Sequence, residues 1–323
     1  MYKSAFFSIL LLDKGIGYGG MSVVKIDIIG APTAFGQPKL GVSLGPDAVR
    51  FSGLEENLKS LGHDVSDLGN VYGNYKTVYR KDNVKDGQGL INFDEVRDFS
   101  EHLSQAVDNT LKNKRFPFVI GGDHSLSIGS VSAVSHHYSN LGVLWIDAHG
   151  DINSSDTSPS GNIHGMPLGV LLGEGNEALV NINHKGAKLK HENIVLVGVR
   201  DLDAGEKAYI KKHGIKCYTM SDVARLGLDT VITKALKHLQ ECDGIHLSLD
   251  VDSLDPMEMP GTGTKVDGGI FLSDMLLALN ILSKTEQLVS ADLVEVNPLL
   301  DNRNKTAVKA VTLAEYIFGQ SQI

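Results

Sequence analysis

The sequence has 323 residues, 42% hydrophobic residues and a formal net charge of −9, and its length is enough for one large α/β domain. This acidic balance argues against the clustered basic surface that a nucleic-acid partner requires, and it suits a small polar or cationic substrate. Cys217 and Cys242 lack the paired spacing of a zinc site or a disulfide framework. We therefore expect two free thiols in a reducing cytoplasm.

Residues 1–20 contain a short apolar stretch, residues 5–12, which follows Lys3. No small-x-small cleavage site of a signal peptide follows it, and no apolar run approaches the length of a membrane span. We interpret residues 1–20 as a dispensable N-terminal extension, or as sequence upstream of a start at Met21. Residues 21–323 are then predicted to form a single domain without a membrane partner.

The first predicted strand covers residues 24–29 and leads into a loop rich in glycine and proline. Pro46 suits the first turn of a helix, and the apolar spacing through Leu58 predicts a helix that ends before Gly62. Residues 69–89 are polar and aperiodic, which indicates a surface excursion rather than a linker. A further helix is predicted at about residues 93–114.

From this point, apolar strands that end in polar residues alternate with helices. The predicted strands cover residues 116–120, 142–147, 194–199, 245–250 and 288–294. The predicted helices lie near residues 127–138, 204–213, 229–242, 273–282 and 307–318. This pattern predicts an open, doubly wound, mostly parallel sheet with helices on both faces and a ligand site at the carboxyl ends of its strands.

Two questions about this architecture stay open in the sequence. A closed eight-stranded barrel is the competing α/β fold, although eight regular strand–helix units are not apparent. The apolar side of the last predicted helix could pack on the sheet or against another subunit.

The segment 143–164 concentrates polar chemistry. Its carboxylates and its imidazole alternate along extended chain, so their side chains point the same way. With the neighbouring strand ends, the sequence offers six candidate metal ligands: His124, Asp147, His149, Asp151, Asp250 and Asp252. Like charges this close repel unless a cation lies among them, and a solvated acidic strand end does not account for all six.

This donor set favours Mn²⁺ or a similar ion over a structural zinc held by thiolates. Four carboxylates formally balance two divalent ions. Two metals about 3.5–4 Å apart can generate a hydroxide nucleophile near neutral pH.

At these motifs the sequence closely resembles the ureohydrolase family and, within it, the bacterial arginases. The resemblance covers nearly all of residues 21–319. It rests on Gly-Gly-Asp-His-Ser (121–125), Asp-Ala-His-Gly-Asp-Ile-Asn (147–153), Ser-Gly-Asn-Ile-His-Gly (160–165), Ser-Leu-Asp-Val-Asp-Ser-Leu-Asp-Pro (248–256) and Glu-Val-Asn-Pro (295–298). It implies an arginase-like catalytic domain at residues 21–323, with two Mn²⁺ per subunit held by the six ligands. Asp147 and Asp250 would bridge the two ions.

The implied reaction is hydrolysis of L-arginine to L-ornithine and urea by a hydroxide that bridges the two metal ions. By the same resemblance, Asp151 would hydrogen-bond the hydroxide, and Glu295 would pair with the substrate guanidinium. His164 matches the residue proposed to shuttle the proton, a role suited to a side chain that titrates near neutral pH. The alternative is that His164 only fixes its loop.

L-Arginine differs from agmatine in carrying an α-carboxylate and an α-ammonium group, and a site for arginine must pair both. Family positions for binding the substrate correspond to Asn153, Ser158, Ser160, Asn162, Asp203, Thr264 and Glu295. Asp203 matches the contact to the ammonium group, whereas Asn153, Ser160 and Asn162 match donors to the carboxylate. Ordinary loop polarity is the alternative interpretation.

The sequence departs from the family pattern at three positions. Lys265 and Asp267 stand where arginases usually have apolar residues, and Ser253 stands where glycine is common.

An agmatinase or another guanidino-compound amidinohydrolase on the same scaffold is the second functional hypothesis. A catalytically silent relative that binds polyamines or a partner is the third. The resemblance also implies a homo-oligomer, a trimer or a hexamer.

Overall fold

Eight parallel strands form the central sheet, in the order β4-β3-β5-β10-β9-β6-β7-β8. The computed structural model describes residues 15–16, 22–75, 85 and 88–321. Most of the predicted extension and most of the predicted excursion at residues 69–89 lie outside these residues, and both stay predictions. The strands of the sheet are β3 (Lys25–Ala31), β4 (Asp64–Asn70), β5 (Phe116–Gly121), β6 (Leu141–Ile146), β7 (Ile194–Val199), β8 (Lys216–Thr219), β9 (Gly244–Asp250) and β10 (Leu288–Val294). An antiparallel pair, β1 (Gly15–Ile16) and β2 (Ser22–Val23), precedes it.

Helices connect the strands and cover both faces of the sheet. They are α1 (Gly45–Phe51), α2 (Leu54–Ser60), α3 (Phe93–Lys112), α4 (Ser127–His137), α5 (Pro167–Leu171), α6 (Glu177–Val180), α7 (Ala204–His213), α8 (Met220–Leu226), α9 (Leu228–His238), α10 (Leu272–Ser283) and α11 (Lys305–Ile317). Short 3₁₀ turns include His124–Leu126, Ile163–Gly165, Val251–Ser253 and Pro298–Leu300. Along the described residues, no helix combines the length and apolarity needed to cross a membrane.

The two faces of the sheet pack into separate apolar clusters. On β6, Leu144 and Ile146 belong to one cluster, whereas Val143 and Trp145 belong to the other. Alternate residues of a strand point to opposite faces, so helices bury the sheet from both sides. This confirms the predicted three-layer, doubly wound α/β fold.

The last helix, α11, packs within its own chain. Its apolar residues Val311, Ala314 and Ile317 belong to the same core cluster as residues of β3, β5 and β9. Contacts to α10, α1 and α2 complete its packing. Of the two alternatives left open by the sequence, the structure thus shows the intramolecular one.

The helix predicted before Gly62 is in fact two helices, α1 and α2. They are separated at Gly53, whose φ of 90° lies in the left-handed region and therefore ends the first helix. Strands β4 and β8 and helix α8 were not predicted. Both strands lie at edges of the sheet and pair on one side only, so their sequences lack the continuous apolar run of a central strand.

Candidate metal and substrate site

The predicted metal ligands converge beyond the carboxyl ends of β5, β6 and β9. Side chains of His124, Asp147 and Asp250 form one cluster, and those of Asp147, His149 and Asp252 form a second. Within each cluster the candidate ligand atoms lie within 4.8 Å of one another. Asp147 therefore belongs to both clusters, whereas Asp250 belongs to the first cluster only.

His124 faces three carboxylates with one ring nitrogen. Its Nδ1 lies 3.0 Å from Asp147, 2.9 Å from Asp151 and 3.2 Å from Asp250. In the second cluster, His149 Nδ1 lies 3.3 Å from Asp147 and 3.2 Å from Asp252. All six predicted ligands are thus brought together, Asp151 through its contact with His124.

Neighbouring side chains fix the orientation of His124. The ring of Trp145 stacks on its imidazole, with centroids 4.2 Å apart and planes 8° from parallel. Its Nε2 lies 2.8 Å from Ser248 Oγ, and this contact directs Nδ1 toward the carboxylates. Trp145 Nε1 also donates to Asp147 Oδ2 at 3.1 Å. One tryptophan therefore positions two candidate ligands.

Two of the remaining carboxylates, Asp250 and Asp252, are held by backbone amides. Asp252 N donates to Asp250 Oδ1 at 2.7 Å, and Ala148 N donates to Asp252 Oδ1 at 3.3 Å. Thr264 Oγ1 donates to Asp252 Oδ2 at 2.8 Å. Thr264, expected at the substrate, thus contacts a candidate ligand, and it also lines the pocket.

The electrostatics of the clusters fit divalent cations. Burial, reinforced by the charges of Asp252 and Asp147, raises the pKa of Asp250 well above its usual range. Burial and the charge of Asp147 likewise raise the pKa of Asp151 to about 6. His124 Nδ1 is buried, yet no described group accepts a well-directed hydrogen bond from it. Imidazole nitrogens and carboxylate oxygens are ligands of Mn²⁺ and neighbouring ions, and a cation would relieve the repulsion between the carboxylates.

Two residues of the site have left-handed backbone conformations. Asp151 has a φ of 51° and Glu295 a φ of 66°, values that are uncommon for residues other than glycine. Each lies just beyond the polar end of a strand, Asp151 after β6 and Glu295 directly after β10. Such conformations cost of order 1–3 kcal/mol and tend to occur at functional sites.

A pocket opens above the two clusters. Predicted residues in its lining are His124, His149, Asp151, Asn153, Ser158, Ser160, Asn162, His164, Asp203, Asp250 and Thr264. Asp147 and Asp252 lie buried below it. Lys265 and Asp267 are exposed and are not part of the lining, so these departures leave the pocket walls unchanged.

The third departure, Ser253, lies in the buried turn that carries Asp252. Its hydroxyl donates to the carbonyl of Asp250 at 2.6 Å. A serine therefore fits this position without an unpaired polar group.

One side of the pocket carries a polar pair from two loops. Asn153 Nδ2 donates to Asp203 Oδ2 at 2.9 Å, and Thr157 Oγ1 donates to Asn153 Oδ1 at 2.8 Å. Across the loop, Ser160 Oγ accepts from Asn162 N at 3.1 Å, whereas the buried Asn162 Oδ1 has no partner among the described residues. The pocket therefore presents amide and carboxylate groups that could pair both a carboxylate and an ammonium group.

Ser158, another of the predicted substrate residues, supports the same loop. Its Oγ accepts from Gly161 N at 3.0 Å. The hydroxyl therefore stabilises the turn that presents Ser160 and Asn162.

Glu206 lines the same pocket but was not predicted. Its Oε2 accepts from Asp203 N at 2.9 Å, and its Oε1 accepts from Ile152 N at 3.2 Å. Burial raises the pKa of Glu206 to about 7. The Asp-x-x-Glu spacing of a helix capping box, placed at a strand end, could have identified it.

On the opposite side His164 lines the pocket, whereas its neighbour Glu295 is buried and is not part of the lining. His164 Nδ1 lies 3.5 Å from Glu295 Oε1, and His124 N donates to the same oxygen at 3.1 Å. Burial lowers the pKa of His164, but Glu295 and the charges of Asp151 and Asp123 outweigh burial and raise it. The structure therefore places a titratable imidazole beside the candidate metal clusters.

Both cysteines are free thiols, as predicted. Burial raises the pKa of Cys217 and of Cys242 to about 11. Neither residue belongs to the candidate metal clusters.

Comparisons with known proteins agree with this geometry. The model of the Arginase family matches residues 24–319. The arginase of Staphylococcus aureus (strain MRSA252) is 50% identical over 298 residues, which cover 92% of this chain and 97% of the relative. The arginase of Bacillus subtilis (strain 168) is 47% identical over 91% of this chain and 98% of its own. The native structure of the Bacillus caldovelox arginase at pH 5.6 superposes with a TM-score of 0.89 at 46% identity, covering 93% of this chain and all of that one.

Proposed function

The chain belongs to the arginase family, and we propose that it hydrolyses L-arginine to L-ornithine and urea at a centre of two divalent metal ions. One observation carries the proposal: two ligand clusters share Asp147 and lie directly under a pocket with the paired Asn153 and Asp203. The curated relatives, named arginases and similar over nine tenths of the chain, support the choice of substrate.

We propose Mn²⁺ as the metal, held by the six residues predicted from the sequence. Two bound cations would lower the pKa of a water molecule, so that a hydroxide nucleophile forms near neutral pH. Asp151 lies at the pocket surface of the clusters and would accept a hydrogen bond from that nucleophile. Asp147 and Asp250 are the proposed bridging ligands.

Glu295 is proposed to hold the substrate guanidinium. Its Oε1 is fixed by the backbone of His124 and by the ring of His164, and its Oε2 lies toward Gly263. A carboxylate and a planar guanidinium form charge-assisted hydrogen bonds, which are about twice as strong as neutral ones. Such pairing would hold the guanidinium carbon over the clusters.

His164 is proposed to move the proton to the leaving amine. The contact with Glu295 stabilises the protonated imidazole, so the ring can carry a proton near neutral pH. Its neighbours Asn162 and Gly165 also line the pocket, which places the ring beside bound substrate.

The α-amino acid end of the substrate would contact the opposite wall. Asp203 supplies the negative charge for the α-ammonium group, while Asn153, Ser158, Ser160 and Asn162 supply amides and hydroxyls near the α-carboxylate. Thr264 would complete the substrate contacts through its hydroxyl. Leaving these groups unpaired would cost about 1–3 kcal/mol each, so a substrate without them should bind poorly.

Urea release from L-arginine and from agmatine, measured side by side with the Mn²⁺-loaded protein, tests the function. We expect kcat/KM for L-arginine to exceed that for agmatine by at least about 10-fold, since a charged hydrogen bond contributes roughly 1.5–3 kcal/mol. A preference for agmatine would identify an agmatinase. Tight Mn²⁺ binding without release of urea from either compound would identify a silent relative.

We further propose a homo-oligomer, a trimer or a hexamer, in the cytoplasm. Exposed apolar side chains on the surface near α1 and the turn at Pro298–Leu300 support an assembly, among them Phe51 and Leu299. The mass in solution tests it. A protein that starts at Met21 should keep full activity if residues 1–20 are dispensable.

A further inference from the structure

Arg200, directly after β7, places a guanidinium behind the second ligand cluster. Among the described residues, the hydrogen bonds of this guanidinium all go to main-chain carbonyls. Its Nη2 donates to the carbonyls of Asp252 (2.7 Å), Leu254 (3.3 Å) and Val266 (2.8 Å). Its Nη1 donates to Ser253 O (3.1 Å) and Gly198 O (3.4 Å), and its Nε donates to Val266 O (3.2 Å). The guanidinium thus joins the end of β7, the ligand turn after β9 and the turn at residues 264–268.

The backbone of Arg200 contacts the other ligand segment. Arg200 N donates to Ala148 O at 2.8 Å, between Asp147 and His149. Through its backbone and its side chain, Arg200 therefore connects both segments that supply the second cluster. His124 and Asp250, the two ligands found only in the first cluster, receive none of these hydrogen bonds, whereas Asp147 is shared by both clusters.

The space around the guanidinium is closely fitted. A Cβ at Gly269 would lie 2.7 Å from Arg200 Nη2 and 2.5 Å from Asp255 N, so this position requires glycine. The carboxylate of Asp255 holds the same turn, since its Oδ2 accepts from Gly268 N at 3.0 Å and from Gly269 N at 3.1 Å. The guanidinium therefore lies in a closely packed position and does not make a chance surface contact.

Asp252 is connected to the turn at 264–268 twice. Thr264 Oγ1 donates to the carboxylate of Asp252 from the pocket side. On the other side, Arg200 donates both to the carbonyl of Asp252 and to the carbonyl of Val266, and so links the two. A guanidinium presents five donors in a rigid plane, whereas a lysine ammonium is a compact charge that cannot reach all of these carbonyls at once. The arrangement therefore depends on arginine in particular.

We propose that Arg200 is a positioning residue for the second metal subsite, formed by Asp147, His149 and Asp252. It fixes the peptide of Asp252 against Ala148 on one side and against the turn carrying Thr264 on the other. The inference rests on the proposed two-metal function. Groups that orient metal ligands typically alter affinity about 10–100-fold when they are removed.

Equilibrium dialysis against Mn²⁺, followed by metal analysis per subunit, tests the inference with Arg200→Lys and Arg200→Gln. Arg115→Lys is the matched control, because Arg115 also spreads its guanidinium over several partners, Asp27, Asp64 and Ile26 O, at the amino ends of β3 and β5. We expect two ions in the wild type and in Arg115→Lys. Both Arg200 variants should keep one tight ion and bind the second about 10–100-fold more weakly.

The outcomes separate the two proposals. A folded wild type that does not bind two ions contradicts the proposed two-metal function itself. If the wild type and both Arg200 variants each bind two ions with the same affinity, the proposed role of Arg200 is overturned, but the two-metal function is not. Equal weakening of both ions in the Arg200 variants, or loss of the fold by circular dichroism, would show a general structural role and would also overturn the inference.

Discussion

Nδ1 of His164 lies 3.5 Å from Oε1 of Glu295, and this oxygen is the one that also accepts the backbone N–H of His124. A candidate proton carrier, the candidate partner of the guanidinium and a candidate metal ligand are thus joined through one carboxylate. The contact raises the pKa of His164, so protonated imidazole is available at neutral pH beside the pocket.

Replacement of His164 by alanine should therefore slow turnover without loss of metal. We expect kcat to fall by about 10²–10⁴-fold, the usual contribution of general acid–base catalysis. Urea release at saturating L-arginine and metal analysis on the same sample measure the two quantities. His238→Ala, on the exposed end of α9, is the control and should change neither. Loss of metal in His164→Ala would mean that this histidine instead maintains the structure of the site.

Asp203→Asn should reduce the preference for L-arginine over agmatine. Asparagine keeps the N-cap of α7 and can still bond Asn153, so the variant removes mainly the negative charge. We expect kcat/KM for L-arginine to fall about 10–100-fold, as for the loss of a charged hydrogen bond, and kcat/KM for agmatine to change little. Steady-state assays with both compounds measure this ratio. Equal losses for both would contradict a contact between Asp203 and the α-ammonium group.

The sequence predicted the structure best where a buried apolar strand is followed by chemically distinctive polar residues. Strands β7 and β10 and helix α7 have the predicted bounds, because each is bordered by clear polar or turn residues. The six candidate metal ligands converge, because parallel strands place their carboxyl ends at one edge of the sheet.

Other features depend on tertiary contacts that no local pattern contains. The capping-box spacing indicates the hydrogen bond from Asp203 N to Glu206, but the hydrogen bond from Ile152 N comes from a segment 54 residues away and has no local signal. Arg200 directly follows a predicted strand, but its carbonyl partners at Asp252 and Val266 are more than 50 residues away. The edge strand β4 is mostly polar, so neither alternation nor a buried run marked it.

Variants of Asp147 and of His149 should retain different numbers of bound metal ions. Asp147 belongs to both clusters, so Asp147→Asn should lose tight binding of both ions. His149 belongs to the second cluster only, so His149→Ala should retain one ion. Mn²⁺ stoichiometry by dialysis measures this difference, and circular dichroism checks the fold of each variant. Equal stoichiometry in the two variants would contradict a shared role for Asp147.

From the environment of His63 we expect the folded protein to lose stability in mild acid, independently of the metal site. Its buried ring accepts from Val24 N at Nδ1 (3.3 Å) and donates from Nε2 to Phe318 O (2.7 Å), an arrangement that only the neutral imidazole can make.

Burial lowers the pKa of His63, despite the opposing effect of the bond to Phe318 O. Below the unfolded pKa of about 6.5, the unfolded chain therefore binds the proton more strongly than the folded one. The contribution of His63 to stability is complete above that pH and is lost as the pH falls through the folded pKa, by at most about 1.4 kcal/mol per pH unit. Glutamine can make both hydrogen bonds without titrating, so His63→Gln should lose less stability than the wild type between pH 7 and pH 5.5. Urea denaturation of both proteins at each pH measures the difference between their free energies of unfolding. The carboxylates are the same in both proteins, so their titration cancels in this difference. Parallel stability profiles would show that His63 is protonated equally well in the folded and unfolded chain.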